Sequence, residues 1–69
     1  MERTQVSSSN IRAIGYDPIS STLEVEFNNG TVYQYAGVPQ WEVDALMSAA
    51  SHGTCFNANI RNRYPFVKL

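Results

Sequence analysis

A chain of 69 residues with a net charge of −1, 43% apolar residues, seven Phe and Tyr and one Trp is too apolar for a disordered segment and too short for more than one domain. Its single cysteine excludes an internal disulfide and fits a reducing cytoplasm. The opening Met-Glu-Arg-Thr-Gln-Val has no apolar h-region, and no apolar run approaches the ~20 residues of a membrane span, so a soluble cytoplasmic protein is expected.

The charge is segregated. Between Ala13 and Ile60 lie Asp17, Glu24, Glu26, Glu42 and Asp44 with no Lys or Arg, whereas Arg61, Arg63 and Lys68 follow with no acid. Such blocks create a local field that the net charge hides, unless the basic tail folds back on the acidic segment.

In chain order, Met1 to Gln5 reads as a weakly ordered lead-in, and a single domain is expected over residues 6–69. Asn10 to Tyr16 reads as a strand with Ile11, Ala13 and Gly15 on one side and Arg12, Ile14 and Tyr16 on the other. Asp17-Pro18 with Ser20-Ser21 makes a turn. From Thr22 to Tyr35, two alternating runs flank Asn29-Gly30, the signature of a two-residue hairpin loop. That loop pairs Phe27 with Val32, Glu26 with Tyr33, Val25 with Gln34 and Glu24 with Tyr35. Leu23, Val25, Phe27, Val32 and Gln34 then face the core, and Glu24, Glu26, Tyr33 and Tyr35 face outward.

Ala36-Gly37-Val38-Pro39 breaks the strand pattern, and Val43, Leu46, Met47 and Ala50 then recur at helical spacing. Glu42 and Asp44 lie early, where negative charge suits a helix N-terminus, and Gly53 suits a helix stop. Thr54 to Arg63 reads as a second short helix with Phe56 and Ile60 inward; Pro65 ends it and an extended tail follows. The expected fold is α+β: a three-stranded antiparallel β-meander packed by one helix from about Pro39 to Ala50, then the short helix and the tail.

Enzyme signatures are absent. Cys55 and His52 lack an orienting third group or an oxyanion site, one Cys and one His fall short of a zinc site, and the glycines are isolated turn residues, so neither catalysis, metal nor cofactor is expected. Single-stranded RNA is held by aromatic rings that stack on bases and by cationic and amide side chains. Tyr33, Tyr35, Asn57, Arg61, Arg63 and Tyr64 are the candidate nucleic-acid-binding residues. Glu24 and Glu26, opposite the tyrosines in the expected register, would repel phosphate. Alternatively the two tyrosines are covered by Phe56, Tyr64 or Phe66, as a small domain must bury most of its large rings.

Ser8-Ser9-Asn10-Ile11, Ile14-Gly15-Tyr16-Asp17, Leu23-Glu24-Val25-Glu26-Phe27, Tyr33-Gln34-Tyr35, Gly37-Val38-Pro39, Phe56-Asn57, Ile60-Arg61 and Tyr64-Pro65 occur in an order that resembles the KTSC domain. The resemblance runs from about Val6 to Phe66. That family is named for a C-terminal extension of some lysyl-tRNA synthetases and otherwise comprises small bacterial proteins, so the resemblance implies a binding module for RNA or tRNA. Here Ala58 and Asn62 stand where Lys or Gly is expected, which lowers phosphate attraction. The other expectation is a protein-interaction module, docking a partner on the Tyr and Glu face or on an open strand edge.

Overall fold

In the computed structural model, which describes residues 2–69, the chain is α+β, with two helices on one face of a five-stranded antiparallel sheet ordered β1-β2-β3-β4-β5. The strands are β1 (Arg3–Gln5), β2 (Ile11–Asp17), β3 (Thr22–Phe27), β4 (Val32–Tyr35) and β5 (Phe66–Lys68), and the helices are α1 (Gln40–Ser48) and α2 (His52–Asn59). The expected three-stranded meander is present as β2-β3-β4, and a further strand flanks it on each side. β1 arises from residues read as lead-in, whose Met1 lies outside the described residues, and β5 from the tail. No helix among the described residues is long and apolar enough to cross a membrane.

The hairpin between β3 and β4 closes on three residues, not two. Phe27 donates its N–H to the Thr31 carbonyl at 2.8 Å and accepts from the Gly30 N–H at 2.9 Å. Asn28, Asn29 and Gly30 therefore form the loop, with Gly30 at φ +89°, a left-handed conformation that costs glycine least. The Asn29 side chain accepts from the Thr31 N–H at 3.0 Å, bracing the turn. The pairs become Leu23 with Tyr35, Glu24 with Gln34, Val25 with Tyr33 and Glu26 with Val32. This slip of one residue overturns the expected faces, because strand side chains alternate with period two. Tyr33 and Tyr35 now share the apolar face with Leu23, Val25 and Phe27, and Gln34 joins the acids on the open face.

A second correction has the same logic. Ile11 pairs with Phe27 but Ala13 with Glu26, so β2 carries an extra residue at Arg12. That bulge turns Ile11, Ile14 and Tyr16 together toward the helices and leaves Ala13 and Gly15 on the open face. Arg12, thrown outward, reaches the Asn28 carbonyl at 2.7 Å and Glu26 at 3.4 Å.

The core joins Ile11, Ile14, Leu23, Val25 and Tyr35 of the sheet to Val38, to Val43 and Leu46 of α1, and to Phe56 and Ile60 at and beyond α2. α1 begins after Pro39 and stops at Ser48, before Ala50, which is exposed. Gly53 is not its stop: it lies in the first turn of α2, where an added Cβ would approach Asn10 Nδ2 to 3.3 Å. The Ser51 hydroxyl caps α2 by accepting from the Thr54 N–H. α2 begins at His52, two residues earlier than expected, because this cap precedes it.

The acidic strand is neutralised from the N-terminus, not by the basic tail. Arg3 stands in register with Gly15, and Gly15 with Glu24. Lacking a side chain, Gly15 leaves the row open, and the Arg3 guanidinium crosses it to Glu24 at 3.3 Å and Glu26 at 3.9 Å. The Gln34 amide donates to the other Glu24 oxygen at 2.9 Å. Glu24 is only 7% exposed on a sheet face that carries no second layer. Arg3→Ala is expected to lower the unfolding free energy by about 1 kcal/mol, since Arg3 is itself partly solvated. Urea denaturation of Arg3→Ala, Glu24→Gln and the double variant checks this, with a non-additive cycle as the expected result.

Candidate functional site

The three-residue loop delivers the ring cluster of this fold. With Tyr33 and Tyr35 on the helix-bearing face, their rings stack at 6.4 Å between centroids and 19° between planes. Phe56 of α2 meets Tyr35 edge-on at 5.4 Å and Phe27 at 5.5 Å. Phe66 of β5, in register with Tyr35, lies 5.6 Å from that ring and 5.5 Å from Tyr33. Such edge and offset contacts suit the ring quadrupole and add to the burial energy.

The helices do not cover this cluster completely. A groove of about 460 Å³ remains between α2 and the β4-β5 side of the sheet, floored by these rings. Its other walls are Asn57 of α2, Arg61 and Asn62 just beyond it, and Asn29 and Thr31 at the hairpin tip. No carboxylate lines it. Glu24 and Glu26 are on the opposite face, engaged by Arg3 and Arg12. Lys68 is in register with Tyr33 and so shares the groove face.

Of the six candidate residues, four meet at the groove: Tyr33, Tyr35, Asn57 and Arg61. They are not equivalent. Tyr35 is 3% exposed and forms floor, not platform, whereas Tyr33 is half-buried and Phe66 is 54% exposed. The alternative that the tyrosines are covered is met by Phe56 and Phe66 for Tyr35 alone. Arg63 is exposed and lies outside the groove, and Tyr64 points elsewhere, donating its hydroxyl to the buried Glu42 at 3.0 Å. Phe66, Asn62 and Asn29 also line the groove but are not among the six candidates; the sequence offered Phe66 only as a cover for the tyrosines. Phe66 stands between Pro65 and Val67, so no local polar alternation marked it as a site residue.

The remaining reactive groups are committed locally. His52 Nδ1 lies 2.8 Å from the Leu46 carbonyl, joining the two helices, and Cys55 Sγ accepts from the Asn59 amide at 3.5 Å. Among the described residues no group of His, Cys, Asp or Glu is placed to hold a metal ion.

A five-stranded sheet with one helical layer and an aromatic groove beside β5 defines a small α+β domain with an aromatic concave site. The chain belongs to the KTSC domain family, whose model matches residues 7–64. It is 47% identical over 57 residues to an uncharacterised protein of Stutzerimonas stutzeri, covering 83% of this chain and 80% of that one. A lysine–tRNA ligase of Nostoc sp. is 34% identical over 59 residues, 86% of this chain but 10% of the ligase. The crystal structure of a KTSC domain protein from Yersinia pestis superposes with a TM-score of 0.93 at 42% identity, covering 99% of this chain and 96% of that one.

Burial, with the neighbouring Tyr33 second, raises the Tyr35 phenol above its usual value of 10.0, against a smaller lowering by Arg61. Partial burial and the bond to Glu42 raise Tyr64 likewise. The folded protein thus holds both protons more tightly than the unfolded chain does. Their contribution is complete below the ordinary tyrosine value and is lost as pH rises through the elevated folded values. The urea midpoint is expected to fall above that point, and Tyr35→Phe and Tyr64→Phe should each flatten the fall, as denaturation across an alkaline pH series would measure.

Proposed function

We propose that this protein is a non-catalytic RNA-binding module, with tRNA the favoured ligand, and that the groove between α2 and β4-β5 is its contact surface. The observation that carries the reading is the composition of that groove: aromatic rings, amide side chains and the Arg61 guanidinium together, with no acid among them. Rings offer stacking to any base, amides can donate and accept at base edges, and a guanidinium meets phosphate. Similarity to a segment of lysine–tRNA ligases supports a tRNA partner. The proposed module is one domain, with β1 part of it, working in the cytoplasm where its lone thiol stays reduced.

Titration of isotopically labelled protein with tRNA and with short single-stranded RNA tests this. Shifts are expected at Tyr33, Asn57, Arg61 and Phe66, weakening as salt is added. Tyr33→Ala should cost roughly 1–3 kcal/mol of binding free energy. Unchanged RNA affinity in folded Tyr33→Ala and Arg61→Ala proteins would defeat the reading.

A second reading has its own observation. Val67 and Leu69 are 57% and 65% exposed beside the outer edge of β5, an arrangement that suits addition of a partner strand. A protein partner held there would bind with little dependence on salt, and Val67→Lys should release it without disturbing the groove.

A further inference from the structure

Resting on the RNA-binding reading, we infer that the groove takes a single unstacked nucleotide, its base against Tyr33 and Phe66 and its flanking phosphates met by Arg61 and Lys68. Three observations converge on one nucleotide instead of a stacked run.

The first is the platform. A run of bases needs successive open rings, and the Tyr-x-Tyr pattern suggests two. Burial removes one of them: Tyr35 is 3% exposed beneath Phe56 and Phe66. Tyr33 and Phe66, with centroids 5.5 Å apart, therefore present one patch a single base wide. The second is volume. About 460 Å³ lies toward the small end of ligand sites, which run from roughly 300 to 1,000 Å³, and suits one base with its sugar. The third is charge. Arg61 is the lining cation and Lys68 shares its face through the register with Tyr33. Two cations match the two phosphates that bracket one nucleotide, whereas a strand-tracking channel needs a longer row. Asn57 and Asn62 stand on the α2 side and Asn29 at the hairpin tip, so a base edge meets groups that both donate and accept. In a folded RNA such a nucleotide is found in a loop, a bulge or a free end, where unstacking is already done.

The test uses the full labelled chain, titrated separately with a nucleoside monophosphate, with inorganic phosphate, and with single-stranded oligonucleotides of increasing length over a range of salt. The monophosphate is expected to shift Tyr33, Asn57, Arg61 and Phe66. The plot of log affinity against log salt should have a slope of about −0.7 to −1.4, one or two phosphates' worth. Beyond about two or three nucleotides, affinity should grow only in proportion to the number of binding positions. Phe66→Ala should weaken monophosphate and oligonucleotide alike, by about 5- to 150-fold. Arg61→Gln, which leaves the rings in place, should weaken both and lower the slope by about 0.7.

Oligonucleotide binding with a slope steeper than about −2, or without any monophosphate shift at the groove, overturns the single-nucleotide inference and leaves the RNA reading standing. Inorganic phosphate reproducing the shifts at Tyr33 and Phe66 overturns it as well, because stacking would then contribute nothing. Failure of every oligonucleotide and of tRNA to bind removes both.

Discussion

Because strand side chains alternate, the pairing of Val25 with Tyr33 decides which face every residue of β3 and β4 occupies. The pairing is set by where the loop closes: the bonds of Phe27 to Gly30 and Thr31 make it three residues long. Had it closed on two, Gln34 would lie under the helices, its amide in need of buried partners, and the tyrosines would stand in solvent beside two carboxylates. The closure seen puts three polar or acidic residues together on the wet face, and gives Phe56 and Phe66 two rings to pack against. One backbone register thus builds both the core and the groove.

The same register separates charge from the site. Glu24 and Glu26 would weaken any anion site they lined, and moving them to the opposite face takes them away from Arg61. Their own needs are met there by Arg3 and Arg12, which lie outside the acidic stretch in the chain but beside it in the sheet. Gly15 makes the Arg3 bridge possible by keeping the intervening row free of a side chain. The polar network of the open face and the acid-free groove are two consequences of one arrangement.

How much of this was legible in the chain depended on whether a segment carried its own apolar pattern. The stripe of Val43, Leu46 and Met47 announced α1, and Phe56 with Ile60 announced inward positions at and just beyond α2; all but the half-buried Met47 are buried. β1 has no such pattern: Arg-Thr-Gln is exposed throughout and is a strand only because β2 offers an unpaired edge. β5 is likewise held by β4, and by the bonds from Leu69 to Val32 and from Ala36 to Pro65. The hairpin misreading has a different source, since Asn-Asn-Gly serves either loop length. The discriminating clue was Gln34, the one polar residue on a face otherwise apolar, a local conflict of the kind that signals a wrong register. At the site, Asn57 and Arg61 could be identified from residue type, but Phe66 and Asn29 come from distant parts of the chain and meet only through the fold.

Floor and rim of the groove therefore answer to different demands. Tyr35 and Phe56 belong to the hydrophobic core as much as to the site, so truncating either would open a cavity in a domain with little stability to spare. Loss of binding in such a variant says nothing about contact with a ligand. Arg61, Asn57 and Asn62 are exposed and carry no core packing; changes there act on binding with small effects on folding. Tyr33 and Phe66 sit between, touching the core cluster on one side and open on the other. A ligand seated on them adds contacts to the two outermost rings of the cluster and to the edge strand that carries one of them. Binding should then protect β5 from opening by RT ln(1 + L/Kd), with L the free ligand concentration, which ties an edge strand of the sheet to the state of the groove.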